Sequence, residues 1–382
     1  MKVLMISKAL VVGAYHAKLR ELVRLGVELT VVTPPAWGSQ ALEAVPQDGY
    51  ELLVRRCTFS GAPHVHFYPG ISEVIGREKW DLVHIDEEAF VAVTYQALKA
   101  CGRQGKKALF FTWQNLRKAY PPPFNHFERF CYEHIAAAIA GSEEVRDVLM
   151  AGKFSKPIAV IPQFGVDPEY FQRRGASELR EKLGLSEEFA IGYVGRIVKE
   201  KGIADLVEAL ARLPERCVLV PVGSGDFERA ARKLAEKLGV ASRIRWVPHI
   251  ASMEVPEYMN ALDVLALPSR TTARWKEQFG RVLIEAMACE TPVVGSNSGE
   301  IPQVIGEAGM VFPEGDAAAL AERLRLLYED PGVRTELGAK GRQRVLERFT
   351  HRRIAEETAK FYRKVSGTPV VADTVKNDRT GF

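Results

Sequence analysis

The chain has 382 residues, of which 47% are hydrophobic, 26% charged and 9% aromatic, and its 52 basic and 48 acidic side chains leave a net charge of +4. At about 150 residues per domain, this length favours two domains, or at most three. The composition excludes disordered, collagen-like and coiled-coil chains, and the small net charge does not indicate a nucleic-acid-binding protein.

The amino-terminal segment MKVLMISKALVVG has the character of a first β-strand. Lys8 interrupts its apolar stretch and no small-residue cleavage site follows, which argues against a secretory signal. No run approaches the roughly 18 apolar residues that a spanning helix needs. Five cysteines form an odd set without a Cys-x-x-Cys pair, so a disulfide framework is disfavoured and we expect a cytoplasmic protein.

Short runs rich in Val, Ile and Leu alternate with longer stretches of helical periodicity along the whole chain. This pattern is typical of parallel strands joined by crossover helices, so the predicted fold class is α/β. The first half contains enough predicted strands for one complete wound sheet. These strands cover residues 2–6, 27–33, 64–68, 81–85, 107–112, 136–140 and 157–161.

A stretch rich in Pro, Gly and charge over residues 162–188 separates this series from a second one. The second series has predicted strands at residues 189–194, 217–222, 243–247, 263–267, 291–294 and 310–312. The sequence therefore predicts two doubly wound parallel-sheet domains, residues 1–165 and 166–348. Because open sheets bind ligands at the carboxyl ends of their strands, we expect a site in a cleft between the two domains.

The chain after residue 312 has helical periodicity. Asp316 is a predicted N-cap, Pro331 suits a first helical turn, and Thr350 is a predicted cap of the last helix. We expect that helix, residues 349–365, to cross back to the first domain. Residues 366–382 have no sustained periodicity, which predicts a flexible tail without a function of its own.

Two cations flank a predicted strand-to-helix turn. Gly195 and Arg196 directly follow the apolar run AIGYV, and Lys201 precedes the next helix. Fixed positive charge, free N–H groups and the helix dipole all favour an anion at such a place, so the turn suits a diphosphate. Taken alone, this pattern is more often a solvated basic loop.

Two carboxylates, Glu277 and Glu285, are separated by seven residues in the segment EQFGRVLIE. A carboxylate on an apolar helix is costly unless it has a partner. Ribose hydroxyls would be suitable partners for Glu285, and the alternative is a structural ion pair with Arg or Lys. The loop SGEIP, with Gly299, allows backbone N–H groups to approach sugar or phosphate oxygens, although such a loop is ordinary in itself.

The order and spacing of four segments resemble glycosyltransferase family 4, whose members have the GT-B fold of two Rossmann-like domains that face each other across a cleft. The segments are VGRIVKEKG, VGSGDFERA, LPSRTTARWKEQFGRVLIEAMACETPVV and SGEIPQVI, and they cover essentially the whole second half. The first half agrees more loosely, through MKVLMI, DLVHIDEE, IAGSEEVRDVL and VIPQFGVDPEYF.

The resemblance implies a retaining enzyme that moves a hexosyl unit from a nucleoside-diphosphate sugar to a hydroxyl acceptor such as a glycan, a glycolipid or a small molecule. The carboxy-terminal domain would hold the donor, with a UDP-sugar favoured by prevalence, and the amino-terminal domain would select the acceptor. Cations and amides that stabilise the departing diphosphate make a metal or other cofactor unnecessary. No carboxylate nucleophile is identifiable, and internal return is the family's usual proposal.

Carried onto this sequence, the resemblance implies that Arg196 and Lys201 hold the diphosphate. Glu285 would bind the ribose hydroxyls, and Glu277 would contact the donor sugar. Further groups of the same region would complete the donor site, namely Gly195, Phe279, Gly280, Arg281, Val282 and Gly299.

The first domain departs from the family pattern at two places. Gly13 is the only plausible close-approach residue in SKALVVGAYH, where relatives carry a Gly-Gly pair, and Gln114 stands where relatives often have a His that faces the donor sugar. His84, as a candidate catalytic residue, and Asp86 end a predicted strand and are candidates for contact with the acceptor. A lone His is as often structural.

No metal site is predicted, because His64 and His66, two apart on a predicted strand, form a pattern that is more often structural. Residues 117–132 mix Arg and Lys with Tyr and Phe, as in a peripheral contact with the inner face of a membrane, although such a stretch is more often a loop and a packed helix. The expected partners are the nucleotide-sugar and a hydroxyl acceptor, without nucleic acid.

Two other functions were weighed against this hypothesis. A nicotinamide-dependent oxidoreductase needs a complete Gly-x-Gly-x-x-Gly after the first strand, which SKALVVGAYH does not supply, and GSGDFE lacks the third Gly. A non-catalytic nucleotide-sugar-binding protein of the same fold remains the alternative, because it would keep Arg196, Lys201 and Glu285 without turnover.

Overall fold

The computed structural model describes residues 1–46 and 48–368. The chain divides into two compact units. The first contains residues 1–111, 120–139 and the described chain from 355 onward, and the second contains residues 112–119 and 140–354. The last helix thus starts in the second unit and belongs to the first unit from residue 355.

The first sheet has seven strands in the order β5-β2-β1-β6-β7-β8-β9. Their bounds are β1 Lys2–Ile6, β2 Glu28–Thr33, β5 Glu51–Val54, β6 Leu82–Ile85, β7 Ala108–Thr112, β8 Ala137–Ala140 and β9 Ile158–Val160. The paired registers of β1, β2, β5, β6 and β7 are parallel. A small antiparallel hairpin, β3 Ala36–Trp37 and β4 Gln40–Ala41, follows β2.

The predicted strand at residues 64–68 is wrong. The chain turns there, and only Phe67 forms a bridge, antiparallel to Thr58. The N–H groups of Val65 and His66 both donate to the Ala62 carbonyl, so the backbone satisfies itself locally instead of joining the sheet. The edge position belongs to β5, whose half-exposed side chains gave no strong apolar pattern.

The second sheet has five strands in the order β11-β10-β12-β13-β14, parallel in every paired register. Their bounds are β10 Phe189–Val194, β11 Cys217–Val222, β12 Val264–Leu267, β13 Val293–Ser296 and β14 Met310–Phe312. The predicted strand at residues 243–247 is wrong as a strand. It makes only two isolated bridges, Ile244 to Leu219 and Val247 to Val222, and its first residue, Arg243, ends a 3₁₀ turn.

Helices connect the strands of both sheets. In the first unit they are α1 His16–Arg24, α2 Ile71–Gly76, α3 Ala92–Arg103 and α4 Phe124–His134. The second unit has α5 Glu143–Ala151, α6 Ser177–Lys182, α7 Ile203–Leu210, α8 Glu228–Lys237, α9 Val255–Ala261, α10 Arg281–Ala288 and α11 Ile301–Ile305. Strands such as β6, β7, β12 and β13 are buried along their whole length, as expected of parallel sheets.

The chain ends in three helices, α12 Ala317–Glu329, α13 Pro331–Arg348 and α14 His351–Ser366. The predicted helix starts are confirmed. The Asp316 carboxylate accepts from the N–H groups of Ala318 and Ala319, Pro331 opens α13, and the Thr350 hydroxyl accepts from the Arg353 N–H at 3.1 Å. The predicted tail starts one residue inside α14, and its part from residue 369 onward lies outside the described residues.

In each sheet the strand order reverses at one place, here called the switch point. In the first sheet it lies between β1 and β6, and in the second between β10 and β12. The crossover connections leave in opposite directions at a switch point, which opens a crevice beyond the carboxyl ends of the two strands. The residues directly after these four strands are therefore the first place to look for a ligand site.

Three further observations concern the described residues. All five cysteines are free thiols, four of them buried. No helix among residues 1–46 and 48–368 is long and apolar enough to cross a membrane. Within the same residues, no group of three or more His, Cys, Asp or Glu side chains is placed to hold a metal ion.

Candidate functional site

The loop after β10 carries the first of the predicted site residues. Gly195 has φ +151°, and a Cβ added at Gly223, in the loop after β11, would lie 2.0 Å from the Gly195 carbonyl oxygen. The two loops therefore pack backbone against backbone, which only glycine permits. Beside them lies a cavity of about 220 Å³ whose lining includes Gly195, Arg196, Ser224 and His249.

Arg196 has an exposed side chain at this cavity. Its backbone carbonyl accepts a hydrogen bond of 2.5 Å from the hydroxyl of the buried Tyr193, which holds the turn in place. Within the described part of the chain, its guanidinium makes no hydrogen bond or ion pair. A fixed backbone and an unpaired guanidinium suit the recognition of an anion.

Lys201 ends a 3₁₀ turn, and Gly202 caps α7 with φ +71°. A Cβ at Gly202 would lie 1.9 Å from the carbonyl oxygen of Pro268, the residue that follows β12. This close approach brings Lys201 to the switch point, where its Nζ lies 2.6 Å from Oε2 of Glu277. The ammonium group also lies 5.0 Å from the ring centroid of Trp275, as in a cation–π contact.

Glu277 is buried, with 6% of its surface exposed. Its Oε2 accepts a second hydrogen bond, of 2.7 Å, from the hydroxyl of Ser269, which follows β12. The Glu277 carbonyl oxygen accepts from the Asn115 side-chain amide at 3.1 Å and from the Glu300 N–H at 3.2 Å. A Cβ at Gly299 would lie 1.9 Å from that oxygen, so the loop after β13 approaches closely because residue 299 is glycine.

Helix α10 begins next to this carboxylate. Gly280, with φ +79°, is its N-cap, and within the described residues no side chain caps the first N–H groups. Phe279 is buried, and its ring lies 5.8 Å from the rings of both Trp113 and Phe349. A fixed helix start is a favourable place for an anion, and Arg281 and the half-buried Val282 open its first turn.

Glu285 lies one turn further along α10 and forms an ion pair with Arg281, whose Nε is 2.8 Å from its Oε1. Burial raises the pKa of Glu285 above its ordinary value, and the charge of Arg281 only partly opposes that rise. The structure therefore contains the ion pair that sequence reasoning held open as the alternative to ribose binding. Both interactions remain compatible with one carboxylate, since each of its oxygens can accept more than one hydrogen bond.

Gln114 lies in the 112–119 segment of the second unit, half-buried. Its side-chain amide donates to the Leu116 carbonyl at 3.4 Å, and its backbone N–H donates to the Thr112 hydroxyl at 3.0 Å. The side chain is therefore turned toward its own loop. The neighbouring Asn115, which sequence reasoning missed, is the residue of this segment that bonds to the Glu277 backbone.

The three predicted residues of the first unit are all engaged internally. The Gly13 N–H donates to a carboxylate oxygen of Glu43 at 2.7 Å, and a Cβ at Gly13 would lie 2.7 Å from a methyl group of Val45. Gly13 is thus a close-approach residue as expected, but the group that approaches it in this structure belongs to the chain itself. Its N–H group therefore donates to an anionic group of the protein, whereas the sequence analysis expected an anionic group of a ligand there.

His84 and Asp86, the candidate acceptor contacts, are both buried and hydrogen-bonded within the first unit. His84 is 1% exposed, and its Nδ1 lies 2.5 Å from the hydroxyl of Tyr362 on α14. Burial lowers its pKa well below the ordinary value, with the Lys18 charge acting in the same direction. Asp86 accepts a hydrogen bond of 2.6 Å from the Ser7 hydroxyl. Side-chain pairing and burial of this kind are not visible in a strand pattern, and the role of both residues toward an acceptor stays a prediction.

The structure thus brings Lys201 and Glu277 into direct contact and places Gly299, Phe279 and Gly280 on the loops around them. Sequence reasoning missed Ser269 and Trp275, which touch the Lys201–Glu277 pair. The signal for Ser269 was available, because it stands directly after an apolar strand in ALPS. The sequence contained no comparable signal for Trp275, since a single aromatic residue in a polar loop forms no periodic pattern.

Glu300 is a further missed residue. Its carboxyl group is 7% exposed and faces the start of α5, where Ser142 and the Glu143 backbone offer hydrogen bonds. Burial nevertheless raises its pKa to about 7, and the charges of Glu143 and Glu144 contribute to the rise. A carboxyl group that titrates near neutral pH therefore lies on the loop that supports Glu277.

Comparisons with known proteins show the family of the chain. The family profile described as Glycosyl transferases group 1 matches residues 176–344, and the profile Glycosyltransferase Family 4 matches residues 16–170. The capsular polysaccharide biosynthesis glycosyltransferase CapM of Staphylococcus aureus is 30% identical over 271 residues, which are 66% of this chain and 69% of that protein.

Two more likenesses extend the comparison. The GDP-mannose-dependent alpha-(1-6)-phosphatidylinositol monomannoside mannosyltransferase of Mycobacterium tuberculosis is 32% identical over 208 residues, 52% of this chain and 54% of that protein. The crystal structure of Anabaena HepE in complex with UDP superposes with a TM-score of 0.76 at 20% identity, over 95% of this chain and 100% of the other.

Two Rossmann-like parallel-sheet units, with structural neighbours of this kind, define a glycosyltransferase of the GT-B class. The chain belongs to glycosyltransferase family 4. The fold class and the family predicted from the sequence are confirmed.

Proposed function

We propose that this glycosyltransferase is a retaining enzyme that transfers a hexosyl unit from a nucleoside-diphosphate sugar to a hydroxyl group of an acceptor. The observation that carries the proposal is the Lys201–Glu277 pair at the switch point of the second sheet, 2.6 Å apart. Arg196, with its unpaired guanidinium, and the uncapped start of α10 belong to the same unit.

The chemistry follows from how charge moves in the reaction. When the bond between the sugar and the phosphate breaks, negative charge grows on the nucleoside diphosphate. Lys201, Arg196 and the first amides of α10 are cations and donors that are already in place, so they stabilise that charge without reorganisation. The protein supplies this stabilisation from its own groups, and we therefore propose a reaction without a metal cofactor.

Glu277 has two roles in the proposal. Its carboxylate orients Lys201 through Oε2, and its other oxygen, Oε1, accepts hydrogen bonds from hydroxyls of the donor sugar in this proposal. The Ser269 hydroxyl donates to the carboxylate, and the Asn115 side-chain amide and the close approach of Gly299 hold the Glu277 backbone. Retention without an identifiable protein nucleophile is consistent with internal return, in which the departing phosphate oxygen helps to deprotonate the acceptor.

We propose uridine as the base, with the acceptor bound by the first unit. The structure of HepE with UDP supports a uridine nucleotide, whereas the name of the mycobacterial relative specifies GDP-mannose. The cavity beside Gly195 and His249 is the candidate place for the nucleoside.

A nucleotide screen tests the proposal. Thermal unfolding with UDP, GDP, ADP and dTDP should show one clear stabiliser, because a ligand at 100 times its Kd stabilises a protein by about 2.7 kcal/mol. Arg196→Gln should weaken that binding by about tenfold, since it removes one charge-assisted contact worth about 1.4 kcal/mol. Arg229→Gln, at an exposed arginine of α8, is the matched control and should bind as the wild type does.

Turnover decides between an enzyme and a binding protein. The corresponding nucleotide-sugar, offered with a mixture of acceptors, should release nucleoside diphosphate, with the anomeric configuration of the product retained by NMR. Tight binding of the nucleotide without any release would favour the non-catalytic alternative. A melting temperature that none of the four nucleoside diphosphates raises would overturn the proposal.

A further inference from the structure

Helix α7 contains a buried carboxylate that none of the predicted roles uses. Asp205 lies in the first turn of the helix, shortly after Lys201, and is 0% exposed. The other buried side chains of the helix are apolar, among them Ile203, Leu206 and Leu210. A buried charge on an apolar helix is costly unless it is paired, so Asp205 requires a cation close by.

That cation is Arg270, in the loop that follows β12. Its Nε donates to Oδ2 of Asp205 at 2.8 Å, and its Nη2 contacts Oδ1. The guanidinium therefore binds both carboxylate oxygens, and a planar fork of this kind fixes orientation as well as distance. A lysine, as a point charge on a flexible stem, does not reproduce this geometry.

The ion pair adds to two backbone contacts between the start of α7 and the loop after β12. The Arg270 N–H donates to the Glu200 carbonyl at 2.8 Å. Gly202 approaches the same loop so closely that a Cβ there would lie 1.9 Å from the Pro268 carbonyl oxygen. Backbone and side-chain contacts together thus join the turn before α7 to the end of β12.

Lys201 and Ser269 lie between these contacts. The Lys201 ammonium is 2.6 Å from Oε2 of Glu277, and the Ser269 hydroxyl donates to the same oxygen at 2.7 Å. Two donors on separate segments therefore converge on one oxygen atom, and the distance between the segments decides whether both reach it. The Asp205–Arg270 pair connects the two segments directly beside these donors.

Stability alone does not account for the ion pair. Replacing a buried ion pair by apolar side chains of similar volume is often neutral or stabilising. The Asp205 side chain is completely enclosed, so its charge loses its hydration on folding, while 44% of the Arg270 side chain remains exposed. The pair therefore needs an explanation other than a contribution to stability.

We propose that Asp205 and Arg270 are positioning residues of the transfer reaction, which hold the Lys201 ammonium where the departing diphosphate develops its charge. The inference rests on the proposed function, and it deepens that function by naming the residues that fix the place of Lys201. Because electrostatic stabilisation depends on donors placed in advance, a small shift of Lys201 lowers the rate of transfer more than it lowers the affinity for the donor.

Steady-state kinetics of the full chain, with the nucleotide-sugar that supports turnover, test this role. Arg270→Lys keeps the charge but loses the fork, and it should lower kcat about tenfold while KM for the donor changes by no more than about twofold. Arg180→Lys is the matched control. Arg180 forms an ion pair of 3.2 Å with Asp263, directly before β12, and its replacement should leave kcat unchanged.

The double variant Asp205→Leu/Arg270→Met separates positioning from stability. It replaces the ion pair with apolar side chains, so its melting temperature should stay close to the wild-type value. Its kcat should remain at least about tenfold below that of the wild type, because apolar side chains do not restore the geometry of the fork. A merely structural role predicts wild-type kcat at wild-type melting temperature, and that result overturns the inference.

Dependence on Lys201 is the third measurement. Since both residues act through Lys201, Arg270→Lys should have no further effect on kcat in the Lys201→Met background. An equal effect of Arg270→Lys with and without Lys201, or a wild-type kcat in Arg270→Lys, overturns the inference alone. A wild type that turns over none of the nucleotide-sugars rejects the proposed function and this inference with it, so the two failures are distinguished.

Discussion

The two switch points of this glycosyltransferase carry the same three residue types in similar geometry. In each unit a lysine follows the first strand, a glutamate follows the strand across the switch point, and a tryptophan ring lies about 5 Å from the ammonium group: 5.3 Å for Lys8 and Trp37, 5.0 Å for Lys201 and Trp275. The surroundings differ. In the second unit the pair is accompanied by Arg196 and an uncapped helix start, and in the first by His66 and Tyr68.

This difference shows that an ion pair does not define a ligand by itself. In the second unit the proposed donor site adds Arg196 and the start of α10, whose summed field would favour a diphosphate. In the first unit the completely buried Glu87 carboxylate balances the charge of Lys8. Substituting the same residue type in each unit separates the roles of the two pairs.

The largest effect is expected from Lys201→Met. Removing a cation that stabilises the departing diphosphate should lower kcat/KM for the nucleotide-sugar by about 10²–10³-fold. Lys237→Ala, at an exposed lysine of the same unit, should leave kcat/KM unchanged. Steady-state kinetics with the stabilising nucleotide-sugar measure both. If kcat/KM of Lys201→Met stays within threefold of the wild-type value, Lys201 does not stabilise the departing diphosphate, and the two pairs do not differ in this way.

The second effect concerns stability. Lys8→Met leaves the completely buried Glu87 carboxylate without its cation, which should lower the free energy of unfolding of the first unit by about 3 kcal/mol. The double variant Lys8→Met/Glu87→Gln removes both charges and should recover a large part of that loss. Urea unfolding of both variants measures the difference. Equal free energies of unfolding for the single and the double variant would show that the pair is solvated. Nucleotide binding should stay unchanged in both variants.

The smallest effect is a pH dependence in which the two units act in opposite directions. The folded-state pKa of Glu300 is raised to about 7 from 4.5, so its protonated form favours folding, and this contribution is present below pH 4.5 and lost as the pH rises through 7. Glu87, with a lowered pKa, stabilises the fold above pH 4.5, and this contribution is lost as the pH falls.

The variant Glu300→Gln isolates the contribution of Glu300 to the pH dependence of stability. The variant should be more stable than the wild type at pH 8, by on the order of 2 kcal/mol, and the two should converge toward pH 4.5. Melting temperatures across this range give the comparison. The exposed Glu329→Gln serves as the control, because it should follow the wild type at every pH. A difference in melting temperature between wild type and Glu300→Gln that stays constant with pH would contradict the raised pKa of Glu300.

Much of the architecture was predictable because local rules decide it. Apolar runs predicted most strands of both sheets, and Asp316, Pro331 and Thr350 predicted the starts of the last helices, since an N-cap needs only residues a few positions apart. The two failed strands, 64–68 and 243–247, show the limit of this reasoning. Both have strand-like composition. Local turn hydrogen bonds occupy the backbone of residues 64–68, whereas residues 243–247 bond to β11 only through isolated bridges.

The chain by itself also determined which residue types stand after the strands, and so which residues can reach a switch point. Only the tertiary structure decided which of them pair. Lys8 and Glu87 are 79 residues apart and Lys201 and Glu277 are 76 apart, and crossover helices bring each pair together. The same folding buried His84 and Asp86 and turned Glu43 onto Gly13. Strand periodicity records burial along one segment, whereas the contacts of a loop side chain depend on neighbours that are distant in sequence.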